Sequence, residues 1–103
     1  MADKDVQVSV SGSGVVSVDK QVVEVKKGMD QVKWNITATG LESLTLTRKD
    51  NGEVLASCTP GNGNSSCSCK SKTFETEGTI SYMVTVRVSG TDHELDPDIV
   101  IKP

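Results

Sequence analysis

The chain of 103 residues sets 11 Lys and Arg against 14 Asp and Glu, for a formal charge of −3, and holds one Phe, one Trp and one Tyr. That balance leaves no basic stripe for phosphate contacts, three aromatics offer little base stacking, and no apolar run approaches the roughly 20 residues of a membrane span. Fifteen Val, four Ile and ten Thr make 29 of 103 residues β-branched, types that suit a pleated sheet and lose rotamer freedom in a helix. The length predicts one domain over residues 1–103, with residues 1–5 disordered. Met1-Ala2-Asp3-Lys4-Asp5 has no apolar h-region, so the chain as written is expected to be cytoplasmic, or secreted or periplasmic if a Met was added to a mature form.

Val6, Val8 and Val10 alternate with polar residues, the period of a half-buried strand, and Gly12-Ser13-Gly14 breaks it. A second run holds Val15, Val16 and Val18 and a third Val22, Val23 and Val25, with a parity slip around Asp19 to Gln21 that signals a bulge, a bend or a change of sheet. After a turn at Lys26 to Asp30, Val32, Trp34, Ile36 and Ala38 share one face against Lys33, Asn35, Thr37 and Thr39, and Gly40 ends this strand. Asp50-Asn51-Gly52 marks a hairpin, with either a two-residue type I′ turn or a three-residue loop carrying Gly52 in the left-handed conformation. A one-residue slip moves every side chain to the other face. The three-residue loop is the one that matches apolar to apolar, Leu46 opposite Ala56 and Leu44 opposite Cys58, with Arg48 opposite Val54. It points Cys58 inward. A polar loop from Thr59 to Ser66 leads to Cys67-Ser68-Cys69, a strand is predicted through Lys72, Thr73 and Phe74, and Ile80, Tyr82, Val84, Val86 and Val88 then alternate cleanly. Residues 93–101 read as a last amphipathic edge, with His93, Leu95, Ile99 and Ile101 on one parity and Asp92, Glu94, Asp96 and Asp98 on the other. The fold class is all-β, a single antiparallel β-sandwich of about seven to eight strands.

Two stretches resemble a known family. Val22 to Asn35, a strand, then Lys-Lys-Gly-Met-Asp, then Val-Lys-Trp-Asn, is similar to the opening of the cupredoxins, and Phe74 to Tyr82, an aromatic followed by Gly-Thr-Ile-Ser-Tyr, is similar to their later strand. Together they cover about a third of the chain. The same turn-and-strand order also occurs in immunoglobulin-like sandwiches, so the Greek-key topology is expected to be cupredoxin-like or Ig-like. The resemblance implies the scaffold without its copper. The family's first His falls at Glu42-Ser43-Leu44, its Cys near Val84 and its next His near Arg87, and a type 1 copper site needs thiolate and imidazole ligands.

Cys58, Cys67 and Cys69 are the most distinctive chemical cluster. Cys-x-Cys on a strand points both sulfurs to one face, which permits a soft-metal site joined by His93 or Met29 but lacks the Cys-x2-Cys knuckle of structural zinc. The alternatives are a disulfide closing the 58 to 67 or 58 to 69 loop with one thiol left over, a buried structural Cys58 with two loop thiols, or a reactive regulatory thiol. The acidic series from Asp92 to Asp98 alternates with apolar residues and contains Pro97, which fits a solvated edge better than a calcium loop. His93, the single histidine, is expected to be an edge-strand residue, and Trp34 a core anchor. No Gly-x-Ser-x-Gly elbow, phosphate-cradling Gly loop or His-Glu-x-x-His occurs, so no enzyme activity, catalytic residue or cofactor is expected. Asn35-Ile36-Thr37 and Asn64-Ser65-Ser66 match the glycosylation acceptor pattern and are expected to be silent.

These readings converge on a non-enzymatic binding or accessory module that presents loops and sheet edges to a protein partner, with no nucleic acid or membrane involved. Its binding loop is expected at Thr59, Pro60, Asn62, Asn64 and Ser65, since function concentrates on loops held by a rigid scaffold. The alternative is a soft-metal, copper-handling protein of cupredoxin-like fold using Cys67 and Cys69. A further alternative is a self-assembling structural protein, because exposed strand edges pair.

Overall fold

The computed structural model describes residues 2–61 and 65–103. Ten strands follow in chain order: β1 Ala2–Val10, β2 Val16–Val18, β3 Val22–Lys26, β4 Asp30–Thr37, β5 Leu41–Arg48, β6 Val54–Cys58, β7 Ser66–Lys70, β8 Gly78–Val88, β9 Thr91–Leu95 and β10 Asp98–Lys102. They form two packed sheets, one in the order β2-β1-β4-β7 and one in the order β3-β10-β8-β5-β6, with β9 also paired to β8. The all-β sandwich read from the β-branched composition is therefore present. Two pairings, β1 with β4 and β10 with β3, are parallel. The chain crosses between sheets after β2 and again after β3, and returning from the other layer lets strands lie side by side in the same direction. The parity slip at Asp19 to Gln21 is the first of these crossings.

The core is aliphatic around one aromatic pair. Val6, Val32, Trp34, Leu44, Leu46, Tyr82, Val84, Val86 and Ile99 are fully buried, each on the inward parity of its strand. The Trp34 ring meets Tyr82 edge-on with centroids 5.6 Å apart, and Trp34 Nε1–H donates to the Tyr82 hydroxyl at 3.1 Å. Among the described residues Ser71 is a buried serine, 3% exposed. Its hydroxyl accepts from the Val32 amide at 3.0 Å and donates to the Lys72 carbonyl at 2.9 Å.

Several local expectations change. Residues 2–5, expected to be disordered, form the first part of β1 because each pairs with β4, from Ala2 opposite Asp30 to Asp5 opposite Lys33. No strand runs through Lys72 to Phe74. The strand lies earlier, over the cysteines, and Phe74 is held by its carbonyl accepting from the Gly28 amide at 2.8 Å while its ring enters the core. The edge predicted over residues 93–101 is two strands with a break at Asp96-Pro97. β9 is an edge, whereas β10 sits inside the sheet between β3 and β8. In the hairpin, Leu44 pairs with Cys58 and Leu46 with Ala56 as expected, but Thr47 rather than Arg48 faces Val54. The turn is one residue wider, closed by the Arg48 amide on the Glu53 carbonyl at 2.8 Å, and a bulge at Leu55 restores the apolar register.

Candidate binding corner

The functional candidates of the sequence separate into two seams where edges of the two sheets meet, β6 against β7 and β2 against β9. At the first, the Leu44 register turns Cys58 inward, and Cys67 and Cys69 project from β7 opposite Ile36 and Trp34. Cys58 and Cys67 form a disulfide with Cα atoms 6.1 Å apart, inside the range a disulfide spans. It joins the edge of one sheet to the edge of the other. Cys69 remains a free thiol, half-buried against the core, and desolvation pushes its pKa from 9.0 up to about 11. Of the three sulfurs proposed as soft-metal ligands, two are bonded to each other and the third is held protonated.

The loop between these cysteines begins at exposed Thr59 and half-buried Pro60 and returns through Ser65, whose carbonyl accepts from the Ala38 amide at 2.8 Å. Asn62 and Asn64 lie outside the described residues. Beyond Ser65, the hydrogen-bond pattern of β7 fixes which backbone groups are free. Ser65 and Ser71 bond to Ala38 and Val32 of the neighbouring strand segment, and hydrogen-bonded pairs recur at every second residue of an antiparallel ladder. Cys67 and Cys69 therefore bond to β4, while the N–H and C=O groups of Ser66, Ser68 and Lys70 point away from it. All three residues are exposed, and their side chains cover the outer face, where Ser68 Oγ–H donates to Asn35 Oδ1 at 2.7 Å. Reading the sequence for chemistry singled out the cysteines and missed this free edge, although the Ser-Cys-Ser-Cys-Lys alternation carries the same information.

His93 stands at the other seam. It pairs with Val86 and is half-buried, with its ring packed against Gly14. There it shares a shallow cavity of about 310 Å³ with Ser11, Ser13, Ser89 and Thr91. It is not brought to the cysteines, nor is Met29, an exposed residue of the β3–β4 turn. The acidic series is dispersed: Asp92 contacts Arg87 at 3.4 Å, Asp96 contacts Lys49 at 3.4 Å, and Asp98 accepts from Ser81 at 2.9 Å. Among the described residues no three His, Cys, Asp or Glu side chains gather in a way that could hold a metal ion.

No family model matches the chain, and no curated protein matches it. Among solved structures it is similar to the reduced Cu(I) form of an amicyanin variant at pH 4, with a TM-score of 0.52 and 17% identity over 99% of this chain and 86% of that one. The sandwich is cupredoxin-like. At the positions to which the resemblance carries the copper ligands, Glu42 lies 3.7 Å from Arg87 as an ion pair and Val84 is an aliphatic side chain with no exposure. A carboxylate, a guanidinium and a methyl-bearing side chain do not form a type 1 copper donor set.

Proposed function

We propose that this chain is a non-enzymatic protein-binding β-sandwich, and that its binding surface is the corner where β6 and β7 meet. The observation that carries the reading is the Cys58–Cys67 disulfide. It fixes both ends of the loop running from Thr59 to Ser65 across the seam and so reduces the ordering cost that a free loop would meet on binding. The same corner presents the open edge of β7, whose backbone groups accept an extended partner segment by strand addition. The choice against an enzyme rests on the chemistry of the side chains. His93 and the free thiol of Cys69 belong to opposite seams, and burial suppresses the thiolate that would act as nucleophile.

The test is site-specific photo-crosslinking. A photoreactive residue at Thr59 or Ser65 is expected to label one saturable protein partner that excess unlabelled chain competes away, while the same residue at exposed Thr79 labels none. Equal labelling from all three positions, or turnover of any substrate without a partner, would sink the reading.

A second reading follows from the likeness to an amicyanin in its Cu(I) form: reduction of Cys58–Cys67 by an external dithiol would release two thiols beside the free Cys69, three sulfurs in all for a soft ion. Titration of Cu(I) into the reduced chain separates the two. Stoichiometric uptake lost in a Cys67→Ser, Cys69→Ser double variant replaces the protein-binding reading with a metal-handling one.

A further inference from the structure

We infer that the free edge of β7 pairs antiparallel with β7 of a second copy of this chain, joining the two four-stranded sheets across a twofold axis. The inference rests on the protein-binding reading of this corner and names its partner. Among the described residues, open edges occur at β2, β3, β6, β7, β9 and the part of β1 ahead of its pairing with β2, and the backbone pattern ranks them. In β1 the Gln7 amide and carbonyl are bonded to Asp19, which leaves Asp3 and Asp5 outward, and self-pairing there would set carboxylate against carboxylate. In β2 only Val16 and Val18 face outward, since the Ser11 amide bonds to Val15 and the Asp19 amide to Gln7. In β3 the outward groups belong to Val22, Glu24 and Lys26, but the Lys26 amide is capped by Asp30 and its carbonyl by the Met29 amide. That leaves two residues. The edge of β6 is broken by its bulge at Leu55. In β9 the two-residue turn at Ser89-Gly90 makes Val88 and Thr91 a bonded pair, so Asp92 and Glu94 face outward, and self-pairing would set carboxylate against carboxylate.

β7 alone among these offers three consecutive outward residues with a single charge, at one end. Antiparallel self-pairing centred on Ser68 places Ser68 opposite its own copy and Lys70 opposite Ser66, twice, by symmetry. It forms up to about six main-chain hydrogen bonds and opposes no like charges. Parallel pairing would set Lys70 beside Lys70. Charge thus selects both the partner and the direction, and because the contact is isologous it closes at two copies rather than growing into a filament.

Sedimentation equilibrium of the disulfide-intact chain from about 10 µM to about 1 mM is expected to show a monomer–dimer equilibrium. Ser68→Pro, which removes the central outward N–H at an edge position where proline is tolerated, is expected to abolish it. Ser68→Lys, which opposes two ammonium groups at the centre, is expected to weaken it about tenfold or more and serves if the proline variant does not fold. Glu94→Lys on β9 leaves it unchanged. Amide exchange provides the residue-level readout: Ser66, Ser68 and Lys70 slow at high concentration. A chain that stays monomeric throughout, or a dimer indifferent to both Ser68 variants, overturns the inference. Crosslinks from Thr59 to a different protein in that case keep the broader reading, whereas a β7 dimer without such crosslinks keeps this one.

Discussion

Trp34 and Tyr82 each resolve the other's polar atom. The indole N–H, fully buried, would be an orphan without the phenol, and the phenol, buried beside it, accepts that bond at 3.1 Å. Truncating Trp34 to Ala removes the largest side chain of the core and leaves Tyr82 without its donor. The expected cost is about 3–5 kcal/mol, read from urea unfolding, and a loss under about 1 kcal/mol would contradict the core assignment. Burial also sets a pH dependence. Desolvation first, then the charges of Asp98 and Asp19, raise Tyr82 from 10.0 to about 12 against the opposing bond from Trp34, and desolvation raises Cys69 from 9.0 to about 11. Both groups are neutral when protonated, so the unfolded chain loses these protons first as pH rises. Stability is accordingly complete below about pH 9 and falls between 9 and 12. Cys69→Ser is expected to remove the decline between about pH 9 and pH 10, lessen it between about 10 and 11, and leave in place the Tyr82 contribution that runs from about 10 to 12.

Strand β7 ties both sheets together through one covalent bond and one ladder. Its pairing with β4 extends the first sheet, and Cys67 reaches β6 at the edge of the second. Replacing Cys58 and Cys67 by Ser removes a bridge between residues nine apart, and the chain-entropy account gives an expected loss of about 2–3 kcal/mol, measured by thermal or urea unfolding of the double variant. This element was the least legible in the sequence. Val32 to Ala38 and Ile80 to Val88 carry an apolar residue at every second position, so periodicity alone placed them, and apolar matching placed the Leu44–Cys58 pair. Ser66 to Lys70 alternates Ser with Cys, which reads as loop chemistry until Trp34 and Ile36 are seen across from the sulfurs. Phe74 misled in the opposite sense, a strand-like residue anchored by a turn contact to Gly28. The three cysteines were recognisable as a group, but which two join depended on a register between strands of different sheets, and no local pattern encodes that. The Asp50-Asn51-Gly52 turn shows the same limit at a smaller scale. Its apolar register could be deduced, while the extra turn residue, which accompanies the Arg48–Glu53 closure and a chelate of Arg48 on Asp50 at 2.7 and 3.0 Å, could not.

At the scale of the whole molecule, the sandwich is held shut along its two seams by different means. The β6–β7 seam has a covalent bond, and the β2–β9 seam has a close approach in which the His93 ring lies on the Cα of Gly14. Gly14 has φ +85°, and a Cβ there would stand 2.8 Å from His93 Cε1 and 3.2 Å from Nδ1. Two penalties therefore fall on Gly14→Ala, a backbone conformation that L residues disfavour by about 1–2 kcal/mol and a steric clash that forces the imidazole outward. They can be separated. Gly14→Ala is expected to cost about 2–4 kcal/mol in all, His93→Ala alone about 1 kcal/mol for lost packing, and the double variant less than the sum, because removing the ring removes the clash and leaves the backbone term. A coupling of about 1 kcal/mol or more in that double-mutant cycle, read from urea unfolding, places the glycine–histidine contact among the interactions that close the fold. Strict additivity would mean that the seam opens to accommodate the methyl group, and that the disulfide side alone keeps the two sheets in register.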